Sequence, residues 1–286
     1  MRWTTGDRGN VEDLRGRTGG MRAVPMGIGG VVVLLLLSWA TGVDFMSLAG
    51  GGGPAPSASV GTTGSGPVAT TPAEEKRVDF VDAVIGDVQE MWQQKLGNRY
   101  QPTRVRLFRD AVDTSGCGFA QAASGPFYCP GDQRVYLDLG FFDELQQRFG
   151  AAGDFAQAYV LAHEVGHHVQ KLTGIDSRMR EMASRNPSQR NELSVRLELM
   201  ADCFAGVWGH ATNQAGRASQ GHVELESGDI EEGLRAAAAI GDDRIQRMQT
   251  GRVFPDKFTH GSSEQRVTWF RRGFERGDPE ACETFQ

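Results

Sequence analysis

His163-Glu164-Val165-Gly166-His167 constrains this chain more than any other stretch. An H-E-x-x-H pattern serves a metal only on a helix, where residues four apart share a face, so two imidazoles point one way with a glutamate beside them. The surrounding residues agree. Phe155, Tyr159, Val160, Ala162 and Val165 form an apolar stripe at helical spacing, which predicts a helix docked on a core, opening near Asp154 as its N-cap.

Zinc in hydrolytic sites takes three protein ligands and leaves a fourth position open, so His163 and His167 need a third partner downstream. Glu198-Leu199-Met200-Ala201-Asp202 supplies it, in a segment from Ser188 to Trp208 that reads as helix. Glu198 and Asp202 lie one turn apart. The first can ligate the metal while the second accepts the free ring N–H of a ligand histidine. Ala201, Ala205 and Gly206 are small enough to let two helices approach closely. Glu192 is the rival ligand, with no aspartate at the same spacing after it.

Such a site activates water, and Glu164 is placed to take its proton as general base. Of the other histidines, His168 lies on a different face and reads as packing, and His210 and His222 fall in loop-like sequence. His260 precedes a C-terminal helix bearing Val267, Trp269, Phe270 and Phe274, and is the candidate for stabilising an oxyanion. A peptide substrate also needs a platform. The alternating run Arg134–Leu139, a half-buried strand, can offer a free edge for backbone pairing.

The rest of the chain sets the frame. It has 286 residues, enough apolar content for a core, and a net charge of −6 that gives no electrostatic support for nucleic-acid binding. Residues 1–23 are polar and arginine-rich. Residues 24–43 carry no charge and are long enough to cross a bilayer once as a helix. The arginines before them leave the N-terminus in the cytoplasm and place the remainder outside, at the cell membrane; a cleaved signal peptide is the alternative. Residues 44–72 form a Gly/Ser/Thr/Pro-rich linker, and residues 73–286 the folded unit. That unit should open with a long amphipathic helix over Pro72–Leu96, then short strands at Arg104–Phe108 and Arg134–Leu139 and a short helix from Phe141, an α+β domain, mostly helical with a small sheet.

Cys117, Cys129, Cys203 and Cys282 show no C-x-x-C spacing. In an exported chain they favour disulfides. Three pairings exist, and loop proximity prefers 117 with 129 and 203 with 282.

These residues together resemble the bacterial neutral zinc metallopeptidase family, membrane-anchored proteins with an extracytoplasmic peptidase domain. The likeness rests on Gly6 to Asp13, Gly125 to Pro130, His163 to Gln170, Glu198 to Trp208 and Phe258 to Phe270. More distantly the chain is similar to the gluzincins. That resemblance implies a zincin-like domain, Zn2+ held by His163, His167 and Glu198, and Asp202 bonded to a ligand histidine. Thr259 to Val267 is similar to a T-H-P-x-x-x-x-R segment of membrane-embedded gluzincins, which implies roles for His260 and Arg266, although Gly261 stands where those have proline. The reading is a membrane-anchored zinc endopeptidase acting on a protein or peptide. Its alternative is a non-catalytic envelope protein with a structural zinc site and a partner-binding surface. Hydrolysis of a non-peptide amide finds no sugar-binding aromatic cluster to support it.

Overall fold

The computed structural model describes residues 1–16 and 70–285. Helix α1 spans Pro72–Leu96, and its first turn shows why it begins there. The Thr71 hydroxyl accepts the Glu74 N–H, and Pro72 sits where no N–H is needed. Val78, Val81, Val84, Ile85, Val88, Met91 and Trp92 are buried along one face. Gly97, at φ 59°, ends the helix.

Four strands lie beside one another in the order β1 (Val11–Asp13), β2 (Arg104–Phe108), β6 (Arg134–Asp138) and β5 (Phe127–Cys129). The first two pairings are parallel and the last is antiparallel. Val105, Leu107, Val135 and Leu137 enter the core shared with α1. Phe108, Tyr136 and Cys129 form a smaller cluster. The strand expected from residue 134 therefore exists, but it is interior, paired on both sides. Among the described residues the edges of the sheet are β1 and β5, and β5 is the edge beside the helix that carries His163 and His167. Between β2 and β5 runs a hairpin of β3 (Ala111–Thr114) and β4 (Gly118–Gln121). Cys117 in its turn is bonded to Cys129, and Cys203 to Cys282, the pairing that loop proximity prefers.

The helical half comprises α2 (Phe141–Gln147), α3 (Asp154–Leu172), α4 (Ile175–Arg185), α5 (Arg190–Thr212), α6 (Asp229–Ala239), α7 (Asp242–Thr250) and α8 (Ser263–Arg276). The whole is α+β, mostly helical with a small sheet. Helix α3 is packed by α1, α5 and α6, so it is central. Asp154 is its first residue rather than its cap: Gly153 precedes it at φ 116°, and the Phe155 N–H is taken by Glu232 at 3.1 Å. Helices α5 and α8 touch backbone to backbone. A Cβ on Gly206 would come 2.0 Å from the Phe270 carbonyl oxygen, and one on Gly273 1.9 Å from that of Cys203. The Cys203–Cys282 bond ties the chain beyond α8 to this same contact.

The N-terminal residues depart from the expectation of a separate cytoplasmic segment. Strand β1 pairs with β2 in register Val11↔Val105, inside the same sheet as the rest of the domain. The acidic stripe of α1, which the sequence presents as a solvent face, receives it. Asp82, 2% exposed, accepts N–H groups of Arg8 and Asn10 at 3.0 Å each. Arg8 reaches Glu75 and Asp79, both at 2.6 Å. Arg15 reaches Asp13, Glu74 and Glu75 at 2.7–3.1 Å. The chain thus leaves at residue 16 and returns at residue 70 beside the same corner of the fold. The pairing of β1 with β2 joins the residues before the apolar run to the folded unit that follows it. The apolar run 24–43 and most of the linker lie outside the described residues. No helix among the described residues is long and apolar enough to cross a membrane.

Candidate metal centre

His163 and His167 project from α3 with ring centroids 4.8 Å apart. Glu198 on α5 faces both, its two oxygens 3.2 Å from His163 Nε2 and 3.5 Å from His167 Nε2. The helices come this close because Gly166 faces Ala201: a Cβ there would lie 3.1 Å from the Ala201 Cα. The rival Glu192 points away and pairs with Arg196 at 2.7 Å. Among the described residues, these three are the His, Cys, Asp or Glu side chains whose donor atoms converge here, all within 4.8 Å.

The outer nitrogens show that the residues fit zinc. His163 Nδ1–H donates to Asp202 Oδ1 at 2.8 Å, and His167 Nδ1–H donates to Gln170 Oε1 at 2.9 Å. Both Nε2 atoms face Glu198 and are the ones a metal would take in place of a proton. Two imidazoles and one carboxylate suit Zn2+, with a fourth position to spare. Gln170 was not singled out from the sequence, yet the signal exists: it stands three residues after His167, on the same helical face. Its amide also donates to the Leu197 carbonyl at 2.7 Å, locking α3 to the ligand-bearing turn of α5.

Asp202 is fully buried and does more than hold one histidine. Its oxygens accept Arg266 Nε at 2.8 Å and Nη2 at 2.9 Å, a fork-like pair, and also the Tyr159 hydroxyl. Arg266 is 2% exposed and gives Nη1 to the Ile240 carbonyl at 3.2 Å. Burial alone would raise the Asp202 pKa, but Arg266 and His163 outweigh it and hold the group ionised. Burial likewise works against charge on His163, and the Asp202 carboxylate overcomes it, taking the imidazole to about 9 when no metal competes with the proton. Glu198 is lowered against its burial by His167 and His163. Glu164 goes the other way: burial raises it, only partly offset by the two imidazoles and the backbone N–H of Tyr128. Its greater proton affinity suits a base.

His260 sits at the rim, its side chain 53% exposed. Asp242 builds the turn beneath it, accepting the N–H groups of Thr259, His260 and Gly261 at 2.7, 2.7 and 3.1 Å, and facing His260 Nδ1 at 3.2 Å. Burial lowers the imidazole pKa, but Asp242 and Glu198 outweigh burial and raise it. His168 is buried packing, as expected. His210 lies on α5, not in a loop, and bonds the Phe274 carbonyl at 2.7 Å, while His222 faces Glu90 at 3.3 Å. A second acidic group, Asp154, Asp229 and Glu232, is neutralised in part by the Met1 α-ammonium, 3.0 Å from Asp154 and 3.3 Å from Asp229.

Fold and site define a chain of the H-E-x-x-H and E-x-x-x-D kind. A family model described as "Putative neutral zinc metallopeptidase" matches residues 1–285, and the chain belongs to that family. "Uncharacterized protein YpfJ" of Escherichia coli K12 is 45% identical over 299 residues, covering 100% of this chain and 99% of that protein. "Uncharacterized protein Rv2575" of Mycobacterium tuberculosis H37Rv is 44% identical over 209 residues, 72% of this chain and 69% of that protein. No solved structure matches.

Proposed function

We propose that the chain is a zinc-dependent endopeptidase with a zincin-like centre. The observation that carries this reading is the convergence of His163, His167 and Glu198 from two helices, with Glu164 beside them and no fourth protein donor among the described residues. A structural zinc site would be closed by that donor, which disfavours the non-catalytic alternative. Zinc held by these three residues would acidify a bound water and polarise the scissile carbonyl. Glu164 accepts the proton and delivers it to the leaving nitrogen. His260, its Nδ1 steadied by Asp242, offers its other ring nitrogen to the developing oxyanion. The open edge of β5, next to α3, gives a peptide backbone its strand partner, in place of the strand from residue 134. The test is hydrolysis of a mixed peptide library followed by mass spectrometry. We expect internal cleavages that stop with a zinc chelator and return with added zinc. Chelator-insensitive cleavage, or none from the zinc-loaded chain, would refute the reading.

Two disulfides and no free cysteine among the described residues support a domain that works outside the cytoplasm. Attachment to a membrane rests on the run 24–43 alone, and the pairing of β1 with β2 favours an arrangement with both ends of that run on the domain's side. Epitope tags before residue 1 and after residue 286 should therefore both be removed by protease from the outer face of intact spheroplasts. Shaving of the C-terminal tag alone would restore the single-span arrangement.

A further inference from the structure

His168 follows the second ligand, yet it points away from the metal centre and into the seam between α3 and the sheet. It is fully buried. Its Nε2 lies 2.6 Å from the Gln101 carbonyl, which can only accept, so Nε2 carries the proton and Nδ1 is the acceptor. The Tyr128 hydroxyl, 2.9 Å from Nδ1, is then the donor. Both rings of Tyr100 and Tyr128 flank the imidazole, with centroids 5.8 and 5.4 Å away. Tyr128 is the middle residue of β5, the edge strand beside α3, and its backbone lies near enough to Glu164 to favour the charged carboxylate. One side chain on α3 therefore fixes where a three-residue strand stands against the base on the same helix, one turn earlier.

We infer that His168 is a positioning residue: through the Tyr128 hydroxyl it holds β5 in place against α3. The strand has few other anchors. Cys129 is tied to Cys117 of the β3–β4 turn and paired with Arg134 of β6, and Phe127 stacks on Tyr136 of β6 at 5.0 Å. Toward α3 the anchor is the Tyr128–His168 bond. If the strand drifts, the edge it presents beside α3 moves with it. The consequence for turnover rests on the peptidase reading above, whereas the placement of the strand does not.

The test uses the full chain and three variants. Tyr128→Phe keeps the ring and deletes the hydroxyl, so it folds even if His168→Ala does not. His168→Gln carries one donor and one acceptor on a single amide and serves as the rescue. In Tyr128→Phe and His168→Ala, hydrogen exchange of the amide at position 128 should speed up about tenfold while the amides of β6 stay within twofold. His168→Gln should return most of that protection. On a peptide cleaved by the wild-type chain, kcat should fall about tenfold with KM within twofold and zinc content unchanged. An amide at 128 that exchanges no faster in Tyr128→Phe overturns the inference. Strand loosening as expected in a chain that cleaves nothing supports the inference and removes the peptidase reading; cleavage with an unmoved amide and unmoved kcat does the opposite.

Discussion

Glu164→Gln is expected to keep its zinc and lose peptide hydrolysis by about 10²–10⁴-fold, the contribution of a positioned general base. The substitution is close to isosteric, and it removes proton affinity without removing a metal ligand. Glu164 is 8% exposed and is not among the three converging donors, so folding and metal content should hardly move. A merely structural centre has no use for a base, and would show the same thermal stability and zinc content with nothing lost. The measurement is kcat/KM with zinc stoichiometry on the same sample. Wild-type turnover in Glu164→Gln would take the proton-transfer role away from this residue.

The second large effect concerns stability. Asp202→Ala strands the Arg266 guanidinium, 2% exposed, without a counter-charge, and removes the acceptor of His163 Nδ1–H. Losing one partner of a buried pair costs about 3–5 kcal/mol. Losing the hydrogen bond behind a ligand histidine weakens metal affinity about 10–100-fold. The two losses separate in a double variant. Asp202→Ala with Arg266→Leu should recover much of the melting temperature, because no orphan charge remains, but none of the zinc affinity. Recovery of both, read by thermal unfolding and zinc titration, would mean that Asp202 acts on the metal only through folding.

Much of the site was legible because its chemistry is periodic. Residues four apart on a helix share a face whatever the tertiary fold, so His163 with His167, and Glu198 with Asp202, could be paired from spacing. Small residues signalled the close approach, and Gly166 against Ala201 is where it happens. The amphipathic run of α1 and the alternation of β6 were visible for the same reason. What escaped has no local signature. Strand β1 is three residues long and is held by charges on α1 that look solvated in sequence, so its membership of the sheet depended on a contact across more than ninety positions. The status of β6 as an interior strand was hidden too, since which strand is an edge is decided by neighbours rather than by its own residues. Asp242, the first residue of α7, shapes the turn at His260, and nothing near it in sequence announces that role.

The central claim is that Glu198 completes a three-ligand zinc site with two histidines of another helix. Zinc analysis of the full chain beside Glu198→Ala tests it most directly. About one zinc per wild-type chain and almost none in the variant, with both melting as folded proteins, is the predicted result. Equal zinc in the two, or none in either after loading, would contradict it.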